Sequence, residues 1–372
     1  MRLILLLCIF IMISCNTEFS SKSEVEIIEL TDFETIVALE KAENENNIIS
    51  TPTILRYELN SNLFVFDDRI GKVLELDSSG RIIMEYGRRG AGPGEFLSVN
   101  NIFLTNDYVY IIDEIQLFIH KFDRKGRLSS TFDYGAIINT GSAPPPPMSS
   151  GIQAKVIINQ PIVTLNGYIL LSSVKSGQNV LSIYEKYSWE GIRMSHIGSI
   201  PDGSTFVFDP VAYRASINNR EIPANYKPYA FPINDLSNED EIFLVYSAIP
   251  MIAKYDLNGN RLWENEIKQP SEIESIENHY YERMDRLSNT STMVLKKYVN
   301  GVSTLDGDLF LISNPETNGS LWIHQFNSSG TLIKRYKLIS KDVVLLPIFD
   351  IDINTQRIFV ITDMSDIRVY PF

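Results

Sequence analysis

LFVFDDRIGKVLELDSSGRIIMEYGRRGAGPGEF, residues 63–96, contains one complete structural unit. Leu63–Asp67, Val73–Asp77 and Arg81–Tyr86 are short β-type runs bounded by turn residues, so three consecutive strands are expected. Asp77-Ser78-Ser79-Gly80 has tight-turn chemistry: the Asp carboxylate can accept from backbone amides ahead of it, and the Gly tolerates positive φ. The segment Gly87–Phe96 is too rich in Gly and Pro for helix or central strand and reads as a connection.

The unit recurs. Tyr108–Tyr134 carries Asp123-Arg124-Lys125-Gly126 at the turn, Ile242–Ile267 carries Asp256-Leu257-Asn258-Gly259, and Leu309–Leu338 carries Asn327-Ser328-Ser329-Gly330. A weaker copy at Tyr168–Ile197 has Ser188-Trp189-Glu190-Gly191, and a sixth begins at Ile358 and stops after two strands, the second being Ile367–Tyr370. A further strand precedes each unit, such as Thr53–Leu59 ahead of Leu63. Four strands per unit, repeated along the chain, predict an all-β fold, a six-bladed β-propeller of four-stranded blades. The last unit lacks its outermost strand, and Val25–Leu30 is expected to supply it and close the ring, which removes exposed sheet edges.

With strands named A to D from the channel outward, the A–B and C–D turns are mostly short. The long segments, Gly87–Ser98, Gly135–Ala154, Ser199–Lys227 and Lys268–Met293, fall between D and the next A. Antiparallel geometry places D–A and B–C connections on one face, so one face is elaborated and the other plain. Pro144–Pro147 reads as a polyproline II spacer. Ser271–Leu287 reads as a helix, with Ser271 and Glu274 as a capping box and Ile273, Ile276, Tyr280, Met284 and Leu287 as its apolar stripe.

At the N-terminus, Arg2 precedes an uninterrupted apolar run, Leu3–Ile13, which is too short for a spanning helix of about 20 residues and reads as a signal-peptide core. Met12-Ile13-Ser14-Cys15 resembles a bacterial lipobox. The expected organisation is a signal peptide over 1–14, a tether over 15–23 beginning at a lipidated Cys15, and a single propeller domain over 24–372. A multiply acylated N-terminus would hold the protein on a membrane, and Asn16 after the cysteine favours the outer membrane, with the propeller either periplasmic or surface-facing. Only Cys8 and Cys15 exist, so the mature body would have no disulfide or thiol nucleophile. The formal charge of −13 becomes −14 once the leader with Arg2 is removed, and such a surface repels phosphate backbones, so nucleic acid is excluded as an expected partner.

The pattern LFVFDDRIGKVLELDSSGRII, its copies and the Gly92-Pro93-Gly94-Glu95-Phe96 lead-in to the next unit resemble NHL-like six-bladed propellers, specifically the propeller lipoproteins common in Bacteroidetes. The resemblance spans nearly the whole mature chain. It implies the fold, and its activities are diverse: some six-bladed propellers are calcium-dependent lactonases or lyases, so such an enzyme with carboxylates at the channel mouth is the alternative to a binding protein.

Asp67, Asp68, Asp113, Glu114, Asp363 and Asp366 lie at or just after B strands, hence on the elaborated face. They could converge on Ca²⁺, which takes oxygen ligands, or serve as turn formers. Arg88 and Arg89 share that face in a Gly-rich loop and could meet an anion or simply connect blades. Tyr213, Tyr226, Tyr229, Tyr280 and Tyr281 crowd the later insertions and could stack on a sugar or peptide, or pack as a satellite core. His120 and His324 occupy one repeat position and are expected to be structural. No metal-binding His spacing, nucleophile elbow or P-loop is present. The leading expectation is a non-enzymatic, membrane-anchored binding protein whose elaborated face engages a glycan, peptide or envelope protein.

Overall fold

The structure, a computed structural model, describes residues 25–37, 49–58, 62–138, 160–173, 182–200, 209–268, 270–287, 293–315 and 320–372. The leader, Cys15, most of the tether and Pro144–Pro147 lie outside the described residues. Six sheets, each built on four antiparallel strands, follow one another along the chain. Blade I comprises Pro52–Tyr57, Leu63–Asp67, Lys72–Leu76 and Ile82–Tyr86; blade II comprises Val99–Leu104, Tyr108–Asp113, Phe118–Asp123 and Leu128–Asp133. Blade III is Ile162–Val163, Ile169–Ser172, Tyr184–Tyr187 and Arg193–Ile197, and blade IV is Ala230–Asn234, Glu241–Tyr246, Met251–Asp256 and Arg261–Glu266. Blade V holds Tyr298–Ser303, Leu309–Ser313, Leu321–Phe326 and Leu332–Leu338; blade VI holds Leu345–Asp352, Arg357–Thr362 and Ile367–Pro371. Strand A of blade VI neighbours strand A of blade I, so the six blades form a ring.

The B strands explain why this sequence builds a propeller. Leu63–Asp67 and Leu309–Ser313 are buried at every position, because both faces of a blade pack on neighbours and alternation is lost. Each of six apolar clusters spans one blade-to-blade interface; that between I and II, for example, joins Phe64, Phe66 and Tyr86 to Val109, Ile111 and Phe122. At about 25 cal/mol per Å² of apolar area removed from water, these interfaces are the main favourable contribution to stability. Backbone bonds repeat as well. The residue after strand B donates to the carbonyl of the residue before strand A: Asp68 to Thr51, Glu114 to Ser98, Ser247 to Tyr229, Asn314 to Lys297 and Asp363 to Val344, all at 2.9–3.0 Å.

The C–D turns follow the expected chemistry. The Asp77 carboxylate accepts from the amides of Ser79 and Arg81 at 2.9 and 3.1 Å, while Gly80 has φ +78°. These bonds, with those from the Ser79 hydroxyl and Arg81, hold Asp77 well below the usual carboxylate range. Gly259, in the matching turn of blade IV, has φ +94°, and a Cβ there would lie 2.0 Å from the His196 carbonyl oxygen of blade III. A side chain is excluded twice over, by backbone conformation and by the neighbouring blade.

Ring closure differs from the sequence expectation. Glu34–Val37, not Val25–Leu30, pairs antiparallel with Ile367–Pro371 and completes blade VI, with Glu34 opposite Val369 and Thr35 opposite Arg368. Glu26–Leu30 instead lies parallel to Leu332–Leu338 as a fifth strand on blade V. The reason is charge and edge geometry. The outer strand of blade V presents Lys334, Arg335 and Lys337, and the acidic strand sets Glu26 opposite Lys334 and Glu29 opposite Lys337. Leu30 then enters the cluster between blades V and VI, and Phe33, beyond it, lies against Tyr370 with the Arg368 guanidinium 3.9 Å from its ring centre.

Candidate binding face

Two of the D–A insertions fold into a cap over blade IV. Asp209 caps the helix Pro210–Asn218, its carboxylate accepting from the amides of Val211 and Ala212 at 2.8 and 3.3 Å. The second insertion supplies the helix Ser271–Arg286. Its start departs from the expected capping box: Pro270 takes the cap position in extended conformation and Ser271 is already helical, one residue too late for its hydroxyl to cap. Ile273, Ile276, Tyr280 and Met284 are buried as the spacing predicts.

Between these helices lies a seventh apolar cluster, built from Tyr213, Ile217, Tyr226, Ala248, Tyr280, Tyr281, Met284 and Leu295. Tyr213, Tyr226, Tyr280 and Tyr281 are 2–5% exposed, and the hydroxyls of Tyr226 and Tyr280 both turn to the Met293 carbonyl. Burial pushes the Tyr281 hydroxyl up to about 12 and that of Tyr226 further still. Tyr229 sits partly buried at the cluster edge, its ring 5.9 Å from that of Tyr226. Of the two readings offered for these rings, the satellite core describes Tyr213, Tyr226, Tyr280 and Tyr281, which pack on one another and leave no face for a ligand, with Tyr229 at its edge.

The other sequence candidates are engaged locally. Arg88 pairs with Glu95, whose second oxygen accepts from the Gly92 amide at 2.8 Å, so the Gly-rich loop is closed on itself. Arg89 reaches the Asp68 carbonyl, with the Asp68 carboxylate 3.8 Å away. Asp67 is fully buried and accepts from the amides of Ser50 and Arg69 at 2.5 and 2.9 Å. Asp113 repeats the arrangement on Leu97 and Ile115 at 2.6 and 2.9 Å. Glu114 accepts from Ser98 and Asn100, Asp363 accepts from the Val344 amide at 3.0 Å, and the Asp366 amide donates to Thr362. Among the described residues no three His, Cys, Asp or Glu side chains are grouped to hold a metal ion. Of the two readings offered for Asp67, Asp68, Asp113, Glu114, Asp363 and Asp366, the local one describes Asp67, Asp113 and Asp363, which tie the start of strand A to the end of strand B within their own blades instead of converging on Ca²⁺.

Three polar groupings escaped the sequence reading. On the A strands, Arg56 of blade I donates to Asn101 Oδ1 of blade II at 2.6 Å and to the Ile102 carbonyl at 3.2 Å, and the Tyr57 amide donates to Asp350 Oδ2 of blade VI at 3.0 Å. Burial pushes the Asp350 carboxyl up to about 6 against the pull of Arg56. Second, Glu272 on the cap helix accepts from His324 Nε2 at 2.8 Å, and Tyr298 donates to His324 Nδ1 at 2.6 Å; Arg335 Nη1 lies 3.3 Å from the other Glu272 oxygen. His120, the repeat partner of His324, is also buried, so both histidines are core residues.

The third is a cleft of about 90 Å³ between the cap helix and the entry to blade V. Ser275, His279 and Arg283 contribute from successive turns of the helix, Lys296 from the facing strand entry, and Asn314 from the B–C turn, while Ile276, Val294, Leu295 and Pro315 supply apolar walls. The spacing of four along Ser275, His279 and Arg283 was visible in the sequence as a polar stripe. Its opposition to Lys296 was not.

Comparison with known proteins agrees on architecture. A family model, DUF5128, described as a 6-bladed beta-propeller, matches residues 11–135. No curated protein matches the chain. Among solved structures, a Bacteroides fragilis protein described, by inference, as exported is 12% identical with a TM-score of 0.51, over 92% of this chain and 98% of its own. A DUF4221 family member from Bacteroides vulgatus is 9% identical with a TM-score of 0.51, over 88% and 94%. A virginiamycin B lyase from Staphylococcus aureus is 11% identical over 92% and 98%, with a TM-score of 0.46. At these identities the likeness is one of fold alone. The chain is a six-bladed β-propeller, similar over its N-terminal third to the DUF5128 propellers.

Proposed function

We propose that this is an envelope-anchored binding protein, held to the outer membrane by lipid on Cys15 and presenting its insertion-built face to a glycan, peptide or protein partner. One observation carries the reading: the insertions around blade IV form their own buried core and hold a cleft with polar and cationic walls, where plain connectors would suffice to link blades. A ligand site on loops mounted on a rigid ring is the common use of such a scaffold. The described residues include no helix long and apolar enough to cross a membrane, and the apolar run Leu3–Ile13 just ahead of Cys15 supports anchoring by lipid.

Anchoring is read by metabolic labelling with a tagged fatty acid: wild type should carry label in the membrane fraction and Cys15→Ala should carry none. Label retained in the variant would remove the anchor. For the face, binding to glycan and peptide arrays should be lost on Arg283→Glu with Val294→Glu, and persist on Asn106→Glu with Asp306→Lys in the plain-face turns. Loss confined to the plain-face pair would overturn the assignment.

A further inference from the structure

The cap cleft is cationic in a protein of formal charge −13. Among the described residues none forms an ion pair or hydrogen bond with His279, Arg283 or Lys296, although most basic groups nearby are spent: Lys297 is fully buried against Glu277 at 2.8 Å, and Arg335 lies against Glu272. Among the described residues no carboxylate lines the cleft. Burial pushes the Lys296 ammonium down from its ordinary value, with no counter-charge among the described residues to offset it, so an arriving anion would restore what desolvation removes. Arg283 adds a planar fork suited to a carboxylate. Ile276, Val294, Leu295 and Pro315 supply the apolar part of the lining, and Ser275 and Asn314 are able to bond an amide.

We propose that this cleft binds the C-terminal residue of a peptide, its free carboxylate between Lys296 and Arg283 and its aliphatic side chain on the Ile276–Leu295 wall. This rests on the reading that the elaborated face binds a ligand, and names the ligand class. The volume suits a carboxylate and a few carbons, not a folded segment.

The test is calorimetric titration of the full chain with N-acetyl-leucine, its neutral amide, and glucuronate. The acid should bind, with the amide and glucuronate each at least about tenfold weaker. Lys296→Met and Arg283→Met should each cost about tenfold or more, Lys296→Arg should retain binding, and Arg286→Met, at the exposed end of the same helix, should change nothing; melting curves confirm each variant is folded. Equal binding of acid and amide, or insensitivity to both Lys296 and Arg283 changes, overturns the anion site. Equal binding of glucuronate overturns the peptide assignment. If array ligands bind the insertion face yet ignore Lys296→Met and Arg283→Met, the binding-face reading stands and this site falls; if that face binds nothing, both fall.

Discussion

Replacing Glu272 with alanine should destabilise the protein by about 3–5 kcal/mol, the usual consequence of removing one partner from a buried charged network. Glu272 is 3% exposed and is the junction between the cap helix and blade V. The protonation pattern follows from an ionised Glu272 and a neutral His324, since burial lowers the histidine and a carboxylate can only accept. Tyr298, whose hydroxyl is pushed far up by burial, donates to His324 Nδ1, so a neutral His324 donates through Nε2 to the Glu272 carboxylate, and Arg335 supplies the balancing charge. Burial opposes ionisation of Glu272, yet His324 and Arg335 hold its carboxyl below the ordinary range. Burial also lowers His324, with Glu272 pulling the other way. Both shifts act in one direction with pH. A depressed Glu272 contributes stability above its unfolded value that is lost as pH falls, and a depressed His324 must take up a proton on unfolding as pH falls through its unfolded value. The network should therefore weaken on acidification, beginning near the ordinary imidazole range of about 6.5. Thermal melts of wild type, Glu272→Ala and Glu272→Gln across pH 5–8 check this, with the glutamine expected to lie between because it can still accept from His324. An alanine variant as stable as wild type would mean that the cap helix is held by its apolar stripe alone.

The second large effect is expected from the closing strands. A chain beginning at residue 38 lacks both N-terminal strands, leaving Ile367–Pro371 and Leu332–Leu338 as open edges. It should lose on the order of 5 kcal/mol and self-associate, since exposed flat edges template further pairing. A chain beginning at residue 32 should be much less affected: it loses only the fifth strand of blade V, which already has four, and keeps Phe33 on Tyr370 and the strand Glu34–Val37 that completes blade VI. Calorimetry with light scattering on the two truncations separates these roles. Equal losses would show that closure is not carried by Glu34–Val37.

Much of the architecture was legible because blade strands are local. Leu63–Tyr86 carries its own turns, its own apolar runs and its register, and the Asp-x-x-Gly turns work as their chemistry dictates. The apolar stripe Ile273–Met284 was equally readable, since helical spacing alone determines which residues share a face. Closure was not. Val25–Leu30 is the more convincing strand, but the position it takes depends on Lys334 and Lys337 some 300 residues away, and Glu34–Val37 is too short to stand out beside it. The insertion tyrosines were correctly located and wrongly oriented as ligand contacts: spacing placed them in the same loops, and only packing decided that Tyr213, Tyr226, Tyr280 and Tyr281 face one another.

By itself, then, the sequence determined the repeat, the number of blades, the turn chemistry and which face carries the long connections, because each rests on residues within one unit. Tertiary structure decided which strand closes the ring, that Asp67 and Asp113 serve their own blades, and that Ser275, His279 and Arg283 face Lys296 across a cleft. Those outcomes depend on side chains from separate blades and insertions meeting in space, and neither periodicity nor turn preference encodes such distances.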